Sequence, residues 1–187
     1  MTGKSKMTQL FKVMTLMLVL PVLVLCQSRS EQPRRHKSAP VVKILRPVLQ
    51  KIRKQANAPI LLPSKLPSSV NENEIHFVGG EGKSDGWEIS LYYKEGCGDA
   101  CFVGYFEAKR DGKVSRDEVD RVVRLVNGIS GYYTARSCGA SCAPPQINWM
   151  DKGVMYTIQF KVNNRTKKHD EAEVIALANS AIQGGAR

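Results

Sequence analysis

Apolar and polar residues alternate in several short segments of the second half of the chain. The clearest segment is 87–94, in which Trp87, Ile89, Leu91 and Tyr93 share one face. A period of two is typical of a strand that buries one face in an antiparallel sheet. Further strands are predicted at 74–78, 101–108, 146–150 and 154–162.

Two other segments have apolar residues at helical spacing, 40–56 and 171–182. Pro47 suits the first turn of a helix that starts there, and Gly184-Gly185 ends the second segment. The first helix is short and basic, so it either lies on a membrane surface or packs on the sheet, and we favour packing. The pattern predicts an α+β fold, with a curved antiparallel sheet of about six or seven strands, a C-terminal amphipathic helix packed on it and a short N-terminal helix.

Segment 115–126 carries two conflicting signals. Ser115 and Glu118 form a capping box, and valines follow at helical spacing. The same stretch is rich in valine, and Asn127-Gly128 is a hairpin signal. We predict a helix from Ser115 to about Arg121 and a strand from there to Val126.

The strands at 146–150 and 154–162 are predicted to form a hairpin. Asp151-Lys-Gly153 suits a type I turn closed by a glycine bulge. Strand alternation then places Trp149 on the same face as Tyr156. We expect Trp149 to be buried against the closing helix, near Leu177 and Ala178.

The first 26 residues have the pattern of a signal peptide. Three lysines precede a charge-free apolar run, 13–25, that is short for a membrane span. Cleavage is expected just after Cys26 or Ser28. The stretch 23–26 also resembles a lipoprotein box, so a lipid anchor on Cys26 and an uncleaved anchor helix stay open as alternatives.

Export decides how the remaining cysteines are interpreted. Four follow the signal peptide, Cys97, Cys101, Cys138 and Cys142. An even number in an oxidising compartment favours disulfides over free thiols or zinc ligation. We prefer the local pairs Cys97–Cys101 and Cys138–Cys142, because a glycine after each first cysteine permits a tight return.

Positive charge is concentrated near the N-terminus. The chain has a net charge of +11, and residues 29–65 carry ten lysines and arginines against one acid. A nucleic-acid partner is not expected, since the later part of the chain is nearly neutral. We interpret 27–57 as a basic, partly disordered arm before a single domain, 58–187, and expect 29–58 to be dispensable for folding. The residues expected to contact an anionic membrane or wall surface are Arg34, Arg35, Lys37, Lys43, Arg46, Lys51, Arg53 and Lys54.

No catalytic, cofactor-binding or metal-ligating motif stands out. Gly82-Lys-Ser84 resembles the end of a phosphate loop, but the opening glycine would fall at Phe77. The three histidines show no metal spacing. Aromatic residues could line a hydrophobic groove or fill the core, and we favour the core. The residues concerned are Trp87, Tyr132, Tyr133, Trp149 and Tyr156.

Several motifs of the second half resemble a recurrent module of uncharacterised exported bacterial proteins. They are Asn127-Gly-Ile-Ser-Gly-Tyr-Tyr133, Ile147-Asn-Trp149, Gly153-Val-Met-Tyr156, the 173–181 helix and the proline-punctuated lead-in 59–67. The paired Cys-Gly-x-x-Cys motifs are similar to a subset found in hypothetical proteins of photosynthetic bacteria. The module also resembles extracytoplasmic domains attached to anti-sigma factors and, distantly, lipoprotein-carrier-like folds. The resemblance implies a strand before Asn127, and it implies no catalytic residues.

We therefore expect an exported, periplasmic or extracellular, non-catalytic protein of the cell envelope. It would bind a hydrophobic or anionic envelope component or a protein partner, without a cofactor. Two alternatives stay open. One is a thiol–disulfide or hydrolytic enzyme, and the other is a structural or partner-binding module with no ligand.

Overall fold

The computed structural model describes residues 40–139, 141–162 and 166–187. Its helices are α1 (Arg46–Gln55) and α2 (Lys167–Gly184). Its strands are β1 (Phe77–Lys83), β2 (Gly86–Tyr92), β3 (Phe102–Arg110), β4 (Arg121–Arg124), β5 (Ser130–Thr134), β6 (Ser137–Cys138), β7 (Cys142–Ala143), β8 (Gln146–Asp151) and β9 (Val154–Phe160). The predicted signal peptide 1–26 and the first part of the basic arm, 27–39, lie outside these residues.

Seven strands form one sheet in the order β1-β2-β3-β9-β8-β5-β4, and every neighbouring pair is antiparallel. The strands β6 and β7 form a separate small hairpin. With α1 near the start and α2 at the end of the described chain, this arrangement confirms the predicted α+β fold class.

One face of the sheet is covered and forms the core. α1 packs on β1, and α2 packs on β8 and β9. The extended lead-in 57–63 also contributes to the core, and the Pro59 carbonyl accepts hydrogen bonds from Trp87 Nε1 (3.1 Å) and Tyr156 Oη (3.2 Å). Two helices and an extended segment thus cover this face of the sheet. Side-chain hydrogen bonds from the sheet hold the extended segment in place.

The amphipathic stripe of α1 packs on the sheet, as predicted. Leu45 and Ile52 have no exposed surface. Gly80 and Gly82 of β1 face the helix, and a Cβ at Gly82 would lie 2.7 Å from the Gln55 Cβ and 2.8 Å from the Ile52 carbonyl oxygen. The helix can therefore approach the strand closely only because these positions are glycines.

The structure argues against the expectation that 29–58 is dispensable for folding. Six side chains of this range belong to the hydrophobic core, Val41, Val42, Leu45, Leu49, Ile52 and Ala58. Removing this range would delete α1 and expose to solvent the apolar surface of the sheet that the helix covers.

The strand predicted at 74–78 lies further along the chain. Glu72–Glu74 form a single 3₁₀ turn, and β1 runs over Phe77–Lys83. Glycines are depleted in strands, so the glycines of this strand hid it from the sequence pattern. The packing of these glycines against α1 is a tertiary contact, which local strand propensity cannot predict.

The helix predicted from Ser115 to Arg121 is absent from this part of the described chain, where Arg116–Glu118 form one 3₁₀ turn. The Ser115 side chain makes no capping hydrogen bond. Instead, Asp120 N donates to the Tyr133 carbonyl oxygen (3.0 Å), which starts the pairing of β4 with β5. Pairing with a distant strand outweighs the local helical signal, and the predicted strand and Asn127-Gly128 turn are observed.

The hairpin of β8 and β9 has the predicted register but a different turn. Lys152 and Gly153 both have positive φ, +50° and +77°, and Asp151 pairs directly with Val154. This is a two-residue turn of the type I′ kind, without a bulge. Trp149 pairs with Tyr156 and Ile147 with Ile158, as the alternation predicted.

α2 begins four residues earlier than the predicted 171. The Thr166 Oγ1 accepts from the His169 backbone N–H (3.3 Å) and caps the helix, and Gly185 follows its end with φ +70°. Within the described part of the chain, neither α1 nor α2 combines the length and the apolar character that crossing a bilayer requires.

Candidate functional site

The chemically distinctive residues of the protein gather at one end of the sheet. β2 and β3 are joined there by loop 93–101, and β5 and β8 are joined there by loop 135–145. The end of β9 meets the second loop, where the Phe160 backbone N–H donates to the Pro145 carbonyl oxygen (3.2 Å). We call this region, residues 93–101, 135–145 and 161–162, the cysteine-loop end.

The first loop contains one predicted cysteine pair. Cys97 and Cys101 are at disulfide-bonding distance, with their Cα atoms 5.7 Å apart. Gly98 between them has φ +60°, a left-handed conformation that glycine adopts without strain. The Tyr93 backbone N–H donates to the Cys101 carbonyl oxygen (2.9 Å) and closes the base of the loop. The prediction of a local pair is confirmed here.

The second loop contains the other predicted pair. Cys138 and Cys142 face each other across the hairpin of β6 and β7, with Cα atoms 4.0 Å apart and at disulfide-bonding distance. Both residues are exposed. Two such pairs are typical of a chain that folds in an oxidising compartment.

A cleft of about 390 Å³ opens between the two cysteine loops. We call it the proline cleft. It is lined by Tyr93, Arg136, Cys142, Pro144, Pro145, Lys161 and Val162. The lining combines two basic side chains with prolines, a tyrosine and a valine, and none of its described residues is acidic. Such a surface is complementary to an anionic group attached to an apolar body.

A second cleft of about 410 Å³ lies beside the start of α2. Its charged lining is mixed, because Arg121 pairs with Glu171 (2.8 Å) while Lys167 and Lys168 stand at the first turn of the helix. A hollow of about 570 Å³, lined by Arg136, Lys167 and Cys138 among others, lies between this cleft and the proline cleft. Arg136 therefore belongs to both the hollow and the proline cleft.

Asp170 anchors Arg136 from inside the protein. The Asp170 side chain has no exposed surface, and its Oδ2 lies 3.5 Å from Arg136 Nε. Neither carboxylate oxygen accepts a hydrogen bond within the described residues. Burial raises the pKa of Asp170 above its ordinary value, and the nearby Arg136 and His169 oppose this shift.

Tyr133 belongs to the same polar cluster. Its hydroxyl is buried without a hydrogen-bond partner among the described residues, although the residue lines the second cleft. Burial, reinforced by the negative charge of Asp170, raises the pKa of Tyr133 to about 12. The phenol is therefore neutral at physiological pH, and it can act as a hydrogen-bond donor.

The aromatic residues predicted for the core are indeed there. Trp87, Trp149, Tyr133 and Tyr156 are buried on the covered face, and Trp149 stacks on Tyr156 with ring centroids 5.2 Å apart. Tyr132 is partly buried on the opposite face of the sheet. These side chains do not form a common groove.

The residues predicted to contact an anionic surface lie elsewhere. Lys43, Arg46, Lys51, Arg53 and Lys54 are exposed on α1 and the turn before it. Arg34, Arg35 and Lys37 fall outside the described residues. Within the described residues, the basic side chains of α1 and of the turn before it line none of the three spaces at or beside the cysteine-loop end.

Sequence reasoning missed Arg136, Lys161 and Asp170. Arg136 lies two residues before Cys138, the first residue of the second cysteine motif, which was the only local hint. From the sequence alone, Asp170 is expected to be an ordinary acidic residue in the first turn of a helix, because the sequence does not show that its side chain is buried. Within the described residues, no three histidine, cysteine or acidic side chains are grouped so that they could hold a metal ion.

Comparison with protein-family models, curated protein sequences and solved structures gives no match for this chain. The resemblance to exported bacterial modules therefore stays a prediction from the motifs.

Proposed function

We propose that this chain is an exported, non-catalytic protein that binds an anionic amphiphile of the cell envelope in the proline cleft. The observation that carries the proposal is the lining of that cleft, where Arg136 and Lys161 stand among apolar side chains and no described lining residue is an acid. Export is supported by the two cysteine pairs at disulfide-bonding distance and by the signal-like pattern of residues 1–26.

Charge at the cleft supports an anionic ligand. None of the ion pairs among the described residues involves Lys161, and Lys161 is exposed. The Arg136 guanidinium is held at the cleft by Asp170 behind it, so its position does not depend on the ligand. A pre-positioned cation loses little conformational entropy on binding.

The apolar part of the lining supports a ligand with a hydrocarbon or ring body. Tyr93, just after β2, and the buried Val162, just after β9, line the cleft together with Pro144 and Pro145. Proline rings offer apolar surface with a fixed backbone. Inorganic anions would use only the charged part of this surface, so we expect them to bind more weakly.

Calorimetric titration tests the proposal with dodecyl phosphate below its critical micelle concentration, and with dodecyl maltoside and inorganic phosphate as comparison ligands. We expect dodecyl phosphate to bind most tightly. Lys161→Glu should weaken this binding by about ten-fold, since it exchanges an attractive charge for a repulsive one. Lys109→Glu, an equal change at an exposed lysine of β3 near its far end, is the matched control and should change little.

Equal affinity for the charged and uncharged amphiphiles would contradict the proposal. So would an equal loss in both lysine variants, because that would indicate a non-specific effect of net charge. Added salt should weaken binding of dodecyl phosphate to the wild type, because exposed charges are screened.

The export part of the proposal has its own test. The mature protein should begin between Gln27 and Arg29, and mass spectrometry of the protein isolated from its native cell determines this directly. An intact Met1 on the mature form would contradict cleavage.

A further inference from the structure

The two cysteine pairs lie at the same end of the sheet but in different surroundings. Cys138 and Cys142 are exposed, whereas Cys97 and Cys101 are partly buried. Cys142 lines the proline cleft, and Cys138 lines the neighbouring hollow. A small reagent can therefore approach the second pair through a concave surface on either side.

The electrostatic surroundings of the two pairs also differ. Arg136 and Lys161 share the proline cleft with Cys142, and Arg136 and Lys167 share the hollow with Cys138. Among the described residues, Asp120 is the only acid that lines either space, and the buried Asp170 lies behind Arg136. The first loop, by contrast, carries Glu95 and Asp99 against a single base, Lys94, within 93–101.

Cations next to a disulfide act on both halves of an exchange reaction. They attract an anionic thiolate to the sulfur, and they stabilise the cysteine thiolate that leaves, which lowers its pKa. Neighbouring carboxylates repel the attacking anionic thiolate and destabilise the cysteine thiolate that leaves.

We infer that the Cys138–Cys142 bond is an exchangeable disulfide selective for small anionic thiols, whereas Cys97–Cys101 is a structural bond. The selectivity follows from the basic side chains around Cys138 and Cys142 and from the acidic ones around the first pair. This chemistry is independent of whether the cleft binds an amphiphile.

The exchange takes place in two steps. A thiolate attacks the Sγ of Cys142, a residue that lines the proline cleft. This forms a mixed disulfide and breaks the bond to Cys138. The electron pair of that bond leaves on Cys138 as a thiolate, beside Arg136 and Lys167. A second thiolate then attacks the sulfur of the bound thiol and releases Cys142 as a thiolate. The protein disulfide gains two electrons, and two thiols are oxidised to one small disulfide.

Competition between three thiols on the full-length, folded, oxidised protein tests the inference. The thiols are mercaptoethanesulfonate (anionic), mercaptoethanol (neutral) and cysteamine (cationic), each at the same thiolate concentration. Alkylation during the initial phase, followed by peptide mass spectrometry, reports the reduction of each pair separately. The pair Cys97–Cys101 is the internal control within every sample.

We expect Cys138–Cys142 to be reduced first, and about five times faster by the anionic than by the cationic thiol. At Cys97–Cys101 the anionic thiol should have no advantage. Lys161→Gln should reduce the preference for the anionic thiol at the second pair, whereas Lys94→Gln, the matched change in the first loop, should leave that preference unchanged.

Equal reduction rates for the two pairs, or faster reduction of Cys97–Cys101, would overturn the inference. The same ratio of anionic to cationic rates at both pairs would also overturn it. Titration of dodecyl phosphate into the oxidised protein is a separate measurement, so a failure of the exchange reaction and a failure of ligand binding are distinguished.

Discussion

At the scale of single residues, Trp149 shows how much strand alternation determines. The sequence placed it on the same face as Tyr156, and the structure buries it to 1% exposure in a stack with that residue. α2, which carries Leu177 and Ala178, packs on its strand. Trp149 is therefore a core residue that does not belong to a binding groove.

We expect Trp149→Ala to lower the free energy of unfolding by about 3–5 kcal/mol, because it leaves a cavity under α2. Trp149→Phe should cost less, since it retains most of the ring packing and removes an indole N–H that has no partner among the described residues. Chemical denaturation of the two variants measures both losses. A melting temperature for the alanine variant close to that of wild type would contradict the core assignment.

Asp170 is the residue that the sequence could not reveal. Its position in the first turn of a helix suggests an exposed acid that interacts with the helix dipole, whereas the structure buries it against Arg136. Burial depends on which strands meet the helix, and no local pattern records that. The same holds for Arg136 and Lys161, which come from different loops and become neighbours only in the folded sheet.

The raised pKa of Asp170 predicts a pH dependence of stability. The folded state holds the proton more tightly than the unfolded state does, so the stability contributed by the neutral acid is present at low pH. It is lost as the pH rises from the ordinary aspartate value through the raised value. We therefore expect wild type to lose stability relative to Asp170→Asn over this interval.

Thermal melts of wild type and Asp170→Asn between about pH 3.5 and 8 check this prediction. The difference between their melting temperatures should change in favour of the variant as the pH rises. A difference that is independent of pH would mean that Asp170 titrates as an ordinary exposed acid.

At the scale of elements, strands and helices with clear periodicity could be predicted, and elements decided by tertiary contacts could not. β2 and the β8–β9 hairpin were evident from alternation, and α1 was evident from its apolar stripe and Pro47. The glycine-rich β1 was missed because glycine is not typical of strands. Its glycines allow the close approach of α1, which only the folded structure shows. Segment 115–121 was predicted as a helix because its capping box is local, whereas its pairing partner, β5, comes later in the chain.

The close contact of β1 with α1 gives a test at this scale. Gly82→Ala should lower the free energy of unfolding by about 1–3 kcal/mol, because the added methyl group would collide with the Ile52 carbonyl and the Gln55 Cβ. Gly79→Ala is the matched control on the opposite face of the same strand. Its added methyl group would meet mainly the Phe77 ring, at 3.3 Å, which can shift.

Denaturation curves of the two glycine variants compare these positions. A loss at Gly79 as large as that at Gly82 would indicate a general requirement for glycine in this strand rather than close packing of the helix.

At the scale of the whole molecule, the N-terminal segment has two parts. Residues from Val41 onward contribute to the core, whereas the polar sequence of 29–39 predicts a segment without a fixed fold. A protein that begins at Pro40 should therefore unfold cooperatively with nearly the same midpoint as one that begins at Arg29. A protein that begins at Asn57 should lose cooperative unfolding, because the core face of β1 is then uncovered. Cooperative unfolding of the shorter protein would contradict the role given to α1.

The redox state also belongs to the whole molecule. Alkylation of the mature, unfolded but unreduced protein should label none of the four cysteines in loops 93–101 and 135–145, because both pairs are at disulfide-bonding distance. Mass spectrometry counts the labels. Two or more labelled sites would contradict the disulfide assignment and with it the main structural support for export.

The central claim is that the proline cleft binds an anionic amphiphile, and mapping the bound site tests it most directly. Backbone amide NMR shifts should be followed while dodecyl phosphate is added to the oxidised protein. We predict the largest changes at Tyr93, Arg136, Cys142, Lys161 and Val162, with small changes on α1. Changes confined to the exposed basic residues of α1, or no saturable change at the cysteine-loop end, would contradict the account.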